Sequence, residues 1–178
     1  MPAGHWGRPG RRRRRPRRFR RDDPRGGCRT SDHRLYGSEW SLVRTVRKWH
    51  SHTWVLPAGF VDKDMQRFFK PFEQGAELAA DIDPDGLMID TLNKAVDKGL
   101  LDYCSLADIA DLADQLHAQQ RQLWVAGGIT AEELPALWDT GADVVCVRVA
   151  ACAKTDKYGR FGEVDAGIVR RLTRTLPD

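Results

Sequence analysis

Asp90 and Lys94 stand four residues apart, directly after the short apolar run Leu87 to Ile89. A run of this length bounded by polar residues predicts a strand buried on both faces, with its C-terminal end opening into a loop. A lysine at such a mouth, partly desolvated or near another cation, loses basicity and can attack a carbonyl or act as an acid-base group. Asp90 would hold it in place or shuttle a proton. The same spacing equally suits a solvated loop lysine beside an acid that caps nearby backbone N–H groups.

Three further places could carry chemistry. Thr53 to Asp62 is a second apolar stretch ending in an acid, with Pro57 predicting a bulge or an early end inside it. Ala126-Gly127-Gly128-Ile129-Thr130 follows the apolar Gln122 to Ala126. Glycine lets backbone N–H groups approach an anion, and a helix predicted to open at Thr130 would turn its positive end toward it. Gly127 and Gly128 are therefore candidate phosphate ligands. Arg148, in the run Arg148-Val-Ala-Ala-Cys152 that includes Ala150, is a candidate charged partner. A Gly-Gly pair is also what a plain strand-to-helix turn would use, and Arg148 could instead answer an acid on the rim. His50 and His52 form a His-x-His pair and His117 stands apart; no second ligand cluster accompanies them, so no metal site is predicted.

The elements that must position these groups alternate. Strands are predicted near 53–61, 86–90, 122–126 and 143–149. Leu42, Val43, Val46 and Trp49 give a spare helix over 41–49. Phe68, Phe69, Phe72, Ala76, Ala79 and Ala80 suit a helix over 72–81 with Pro71 near its first turn. Asp83 to Gly86 reads as a turn. Ser105-Leu-Ala-Asp108 is a capping box in its acidic form, opening a helix over 105–119 with Leu106, Ile109, Leu112 and Leu116 on its buried face. Thr130-Ala-Glu-Glu133 predicts another helix start, closed at Gly141, and Val164, Ile168, Leu172 and Leu176 mark a last helix.

Four strand-helix units in succession demand a parallel sheet with right-handed crossovers. A closed eight-strand barrel needs roughly 250 residues, or at least about 200, and this chain has 178. The predicted fold is therefore α/β, the C-terminal half of a TIM (β/α)8 barrel. In such a barrel the loops at the strands' C-terminal ends build the site, and phosphate sits after the seventh and eighth strands. Gly127-Gly128 and the Arg148 run would occupy those positions.

Composition adds limits. No apolar run approaches the roughly 20 residues of a membrane span, so a soluble chain without a membrane partner is expected, and cysteines with neither CxxC spacing nor a preceding secretory signal point to a cytoplasm. Residues 1 to 38 hold 13 Arg against Asp22, Asp23 and Asp32, a net +10; the overall +4 leaves −6 for the other 140 residues. Repelling charges, Pro and Gly, with almost nothing apolar to bury, predict a disordered Arg-rich leader over 1–37. Nonspecific nucleic-acid contact through the leader and a displaced start codon are both open readings of it. Cys28, Cys104, Cys146 and Cys152 lack CxxC spacing, which predicts reduced thiols. Cys146, between Val145 and Val147, is expected to pack in the core rather than act as a nucleophile.

Met88-Ile-Asp-Thr-Leu-Asn-Lys94, Ala126-Gly-Gly-Ile129, Val147-Arg148-x-Ala-Ala-Cys152 and Asp156-Lys-Tyr-Gly-Arg160, in order over about 50 to 176, resemble the (5-formylfuran-3-yl)methyl phosphate synthase family. The resemblance implies a TIM-barrel lyase that condenses two glyceraldehyde 3-phosphate molecules through a lysine Schiff base, eliminating phosphate and water, for methanofuran-type cofactor synthesis. It implies no metal or organic cofactor. Asp90 and Lys94 match the family's Asp-Thr-x-x-Lys motif, in acid-base or substrate-binding roles. Asp62 matches its Ala-Gly-aromatic-x-Asp acid, and Gly127, Gly128 and Arg148 match its phosphate end. The family's Schiff-base lysine on the first strand and its second essential lysine near mid-chain have no counterpart here, and Val149 stands where the family has Gly. The expectation is a truncated half-barrel, doubtfully active alone, that aggregates, dimerises into a pseudo-barrel or pairs with a missing half. A thiamine-phosphate-synthase-like barrel enzyme and a non-enzymatic nucleic-acid-binding protein are the competing classes.

Overall fold

A computed structural model describes residues 45, 54–93, 98–153 and 162–176. The predicted leader, His50, His52, Lys94 and the 156–160 run lie outside the described residues, as does all of the 41–49 helix except Thr45, which is helical.

The described strands are β1 (Ala58–Phe60), β2 (Gly86–Asp90), β3 (Gln122–Val125) and β4 (Val144–Val145). Between and after them come helices α1 (Pro71–Ile82), α2 (Leu106–Ala118), α3 (Leu134–Asp139) and α4 (Ala166–Thr175). The strands form one parallel sheet in sequential order, β1-β2-β3-β4. The α/β class and parallel pairing are as the alternation predicted.

Side-chain alternation along the strands divides the sheet into two unlike faces. On one face Leu87 pairs with Leu123 and Ile89 with Val125, all at most 1% exposed. These four belong to a single apolar cluster with Ala79 of α1, Ile109, Leu112 and Leu116 of α2, Leu134 and Leu137 of α3, and Leu172 of α4. Each of these four helices contributes buried residues to this cluster, while Leu78 and Ile82 of α1 are buried outside it. Fully burying one such side chain contributes about 1.5–3 kcal/mol. Gly75 allows α1 to lie close to the sheet, since a Cβ there would stand 2.6 Å from Leu87 Cδ2. On the other face the register aligns Ala58, Met88, Trp124 and Val144 in a row, none of them part of that cluster.

Several predicted boundaries shift for identifiable reasons. The first strand begins after Pro57 instead of running from 53. Upstream of it Val55 is tied to a turn residue, its N–H donating to Asp85 Oδ2 at 2.9 Å and its carbonyl accepting from Asp85 N at 3.0 Å. The fourth strand is two residues long and not seven. Cys146 N still donates to Val125 O, but β3 ends there and the chain turns away at Gly127 with φ +114°, so among the described residues no ladder continues over 147–149. A 3-10 turn, Val149–Ala151, follows. The helix predicted from Thr130 starts at Leu134, with Pro135 in its first turn. Val164 is 65% exposed and precedes α4, whose N-cap is Asp165, accepting from Ile168 N at 2.8 Å. Val164 instead makes an isolated antiparallel bridge with Cys152.

The capping box of α2 is realised as predicted. Ser105 Oγ accepts from Asp108 N at 3.2 Å while Asp108 Oδ2 accepts from Ser105 N at 2.8 Å. The Ser105 N–H and the Ser105 hydroxyl, which donates to Asp108 Oδ2 at 2.7 Å, together hold the Asp108 carboxyl below its usual range. Leu106, expected on the buried face, is 37% exposed; Ile109, Leu112 and Leu116 are buried.

Ile89→Ala should lower the unfolding free energy in urea by about 2–5 kcal/mol. Met88→Ala, on the opposite face of the same strand, should cost less than half as much.

Candidate functional site

The C-terminal ends of β1 and β2 open into a cleft of about 570 Å³. The loop after β1 contributes Asp62, Lys63, Asp64 and Met65, and the loop after β2 contributes Leu92 and Asn93. Lys98 and Tyr103 close the far side.

Asp62 shapes this cleft. It is 5% exposed, and a buried carboxylate must have its oxygens satisfied. Oδ2 accepts from Leu92 N at 2.5 Å and Oδ1 from Asn93 N at 3.0 Å, so the acid fastens the end of β1 to the loop after β2. The Asp62 carbonyl also accepts from Met65 N at 2.8 Å and Gln66 N at 3.1 Å, which folds the 62–66 turn against the opening. The acid predicted to take part in chemistry is thus first an anchor for backbone.

Asp90 closes β2, half-buried, with Oδ1 accepting from Thr91 N at 2.7 Å. It is close enough to Cys146 to help raise that thiol's pKa, burial being the larger cause. A neutral, half-buried thiol fits the packing role expected for Cys146. Burial also pushes Cys104 up to about 12, with Asp108 adding to it, and its Sγ donates to Leu100 O at 3.4 Å. Cys104, Cys146 and Cys152 are free thiols.

Gly127 and Gly128 have φ of +114° and +61°, a region that favours glycine. Their neighbours are loops. A Cβ on Gly127 would lie 2.9 Å from Thr91 Cγ2, and one on Gly128 3.1 Å from Gly99 Cα. Gly127 O accepts from Leu100 N at 2.7 Å. The pair therefore seats the loop after β2 and the segment carrying Lys98 to Tyr103. The helix terminus expected beside it is absent at Thr130, whose N–H donates at 2.8 Å to Glu133 Oε2. Arg148 is exposed and leads into the Val149–Ala151 turn that contains Ala150, its carbonyl accepting from Ala151 N at 2.9 Å. None of Gly127, Gly128, Arg148 and Ala150 lines the cleft that Asp62 shapes.

Sequence reading missed Lys98 and Tyr103. Lys98 Nζ stands 5.7 Å from the centre of the Tyr103 ring. The Tyr103 phenol is held above its usual pKa by burial and by the Asp62, Asp102 and Asp64 carboxylates, so it is a protonated donor at neutral pH. The only signal for Lys98 was a second lysine four residues beyond Lys94. Tyr103 carried no motif.

Among the described residues no group of three His, Cys, Asp or Glu is placed to hold a metal ion. His117 instead meets Asp143, Nε2 to Oδ2 at 2.8 Å, and that same oxygen accepts from Leu123 N at 2.9 Å. No described helix is long and apolar enough to cross a membrane.

The sequence model of the 4-HFC-P synthase family matches residues 26–173. The chain belongs to this family. Among curated relatives, the (5-formylfuran-3-yl)methyl phosphate synthase of Methanopyrus kandleri is 32% identical over 133 residues, 75% of this chain and 54% of that protein. The protein of the same name from Methanocaldococcus jannaschii is 31% identical over 132 residues, 74% of this chain and 54% of its own. That of Methanobrevibacter smithii is 31% identical over 119 residues, 66% and 48%. The chain spans about half the length of these 4-HFC-P synthase relatives. The family likeness read from the four motifs is therefore upheld.

Asp62→Ala should destabilise the fold by about 3 kcal/mol, since two backbone N–H groups lose a charged acceptor. Asp62→Asn, which keeps one carbonyl oxygen, should cost less; urea denaturation of both variants measures this. Iodoacetamide should label Cys104 slowly at pH 8, with a rate that still climbs about tenfold per pH unit toward pH 11. Mass spectrometry of the Cys104 peptide would follow it.

Proposed function

We propose that this chain serves in the formation of (5-formylfuran-3-yl)methyl phosphate from two molecules of glyceraldehyde 3-phosphate, as a carbon-oxygen lyase of methanofuran-type cofactor synthesis. The observation that carries the proposal is the family match over 26–173, joined to a cleft at the C-terminal strand ends where Asp62 and the loop after Asp90 converge. Lys94 and Asp90 serve the acid-base steps, and Asp62 fixes the loop between them. Gly127, Gly128, Arg148 and Ala150 form the phosphate end of a larger site.

The fold is read as half of a TIM barrel. Sequential strand order and helices packed on one face support this, because a doubly wound sheet reverses its order and carries helices on both faces. The row Ala58, Met88, Trp124 and Val144 then belongs to the barrel interior, and the other four strands come from the rest of a barrel or from a partner. The lysine that carries the Schiff base is supplied by those strands.

The assay incubates the purified chain with glyceraldehyde 3-phosphate, alone and with the N-terminal half of a relative, and follows the furan by absorbance and mass. Product should appear only with the added half and be lost in Lys94→Ala. Turnover by the chain alone would defeat the shared-site reading, and absence of furan in the complemented mixture would defeat the reaction.

A further inference from the structure

We propose that Lys98, with Lys63 across the same cleft, is the cation that receives the phosphate of a phosphorylated triose, and that Tyr103 positions it. The proposal rests on the substrate class just assigned and names the residues that hold it at this end of the site.

Lys63 and Lys98 both line the cleft, both are exposed, and neither forms an ion pair among the described residues. Lys70, outside the cleft, behaves differently: it is tied to Glu73 at 2.9 Å. Cleft lysines that meet no carboxylate among the described residues leave their charge for a ligand, and an ammonium is a compact point charge suited to a phosphate monoester. Asp62, in the same cleft, already takes the N–H groups of Leu92 and Asn93 on its two oxygens. Lys98 is steered by its approach to the Tyr103 ring. Gly99, next in the chain, is seated against Gly128, and Leu100 is hydrogen-bonded to Gly127. The glycine pair thus contributes to anion binding by fixing the segment that carries the cation.

Asp64 also lines the cleft, and if its charge dominated, the opening would take a neutral aldehyde and reject the ester. Calorimetric titration of the full chain with glyceraldehyde 3-phosphate, glyceraldehyde and inorganic phosphate separates the two. Binding should be at least tenfold tighter for the ester than for glyceraldehyde and should weaken with salt. Lys98→Gln should lose about tenfold toward the ester and nothing toward glyceraldehyde. Lys98→Arg should restore most of the loss. Tyr103→Leu, which removes the ring under the ammonium, should weaken the ester by a smaller factor, and Lys70→Gln should change nothing. Ester binding that survives Lys98→Gln undiminished would overturn the role of Lys98 while leaving the proposed reaction standing. A wild-type chain that binds glyceraldehyde as tightly as its phosphate would overturn the phosphorylated substrate as well.

Discussion

A buried carboxylate cannot stay charged without donors, and Asp62 obtains them from backbone two strands' ends apart. Leu92 and Asn93 point their N–H groups at it because β1 and β2 pair in parallel, with Phe60 beside Asp90, so that both strands finish at the same level. The bond geometry in turn fixes where the loop after β2 departs. The loop after β2, with Leu92 and Asn93 in the cleft lining, hangs from that fastening.

A second constraint acts from the opposite side. Gly127 and Gly128 adopt positive φ, and their missing side chains admit Thr91 and Gly99 at distances a Cβ would forbid. The same turn carries β3 away from β4 after Val125, which is why the fourth strand is so short. Seating the neighbouring loops and ending the ladder are therefore one backbone event. The glycine pair thus acts on the cleft through the loops it admits.

The sheet itself divides the labour. Its helix-covered face, Leu87, Ile89, Leu123 and Val125 among the helices' apolar residues, supplies the cohesion that keeps the strand ends level. The opposite row of Ala58, Met88, Trp124 and Val144 does not belong to that cluster. The core thus lies on one face and the charged cleft at the strand ends, so the loops carry charge at little expense to the core.

What the sequence determined by itself was whatever depends on local periodicity and punctuation. Alternating apolar runs and helical stripes fixed the parallel α/β class, Ser105 to Asp108 fixed a helix start, and the motif order fixed the family. Strand ends, by contrast, depend on whether a neighbour remains to accept a hydrogen bond, and the helix after Thr130 begins only at Leu134 although Glu133 returns to the Thr130 N–H as a capping box would. The pairing of Asp62 with Leu92 and Asn93 and the meeting of Lys98 with Tyr103 had no linear trace. Parallel register brings Asp62 to backbone some 30 positions further along the chain, and loop seating sets Lys98 beside Tyr103, both of which only the folded chain supplies.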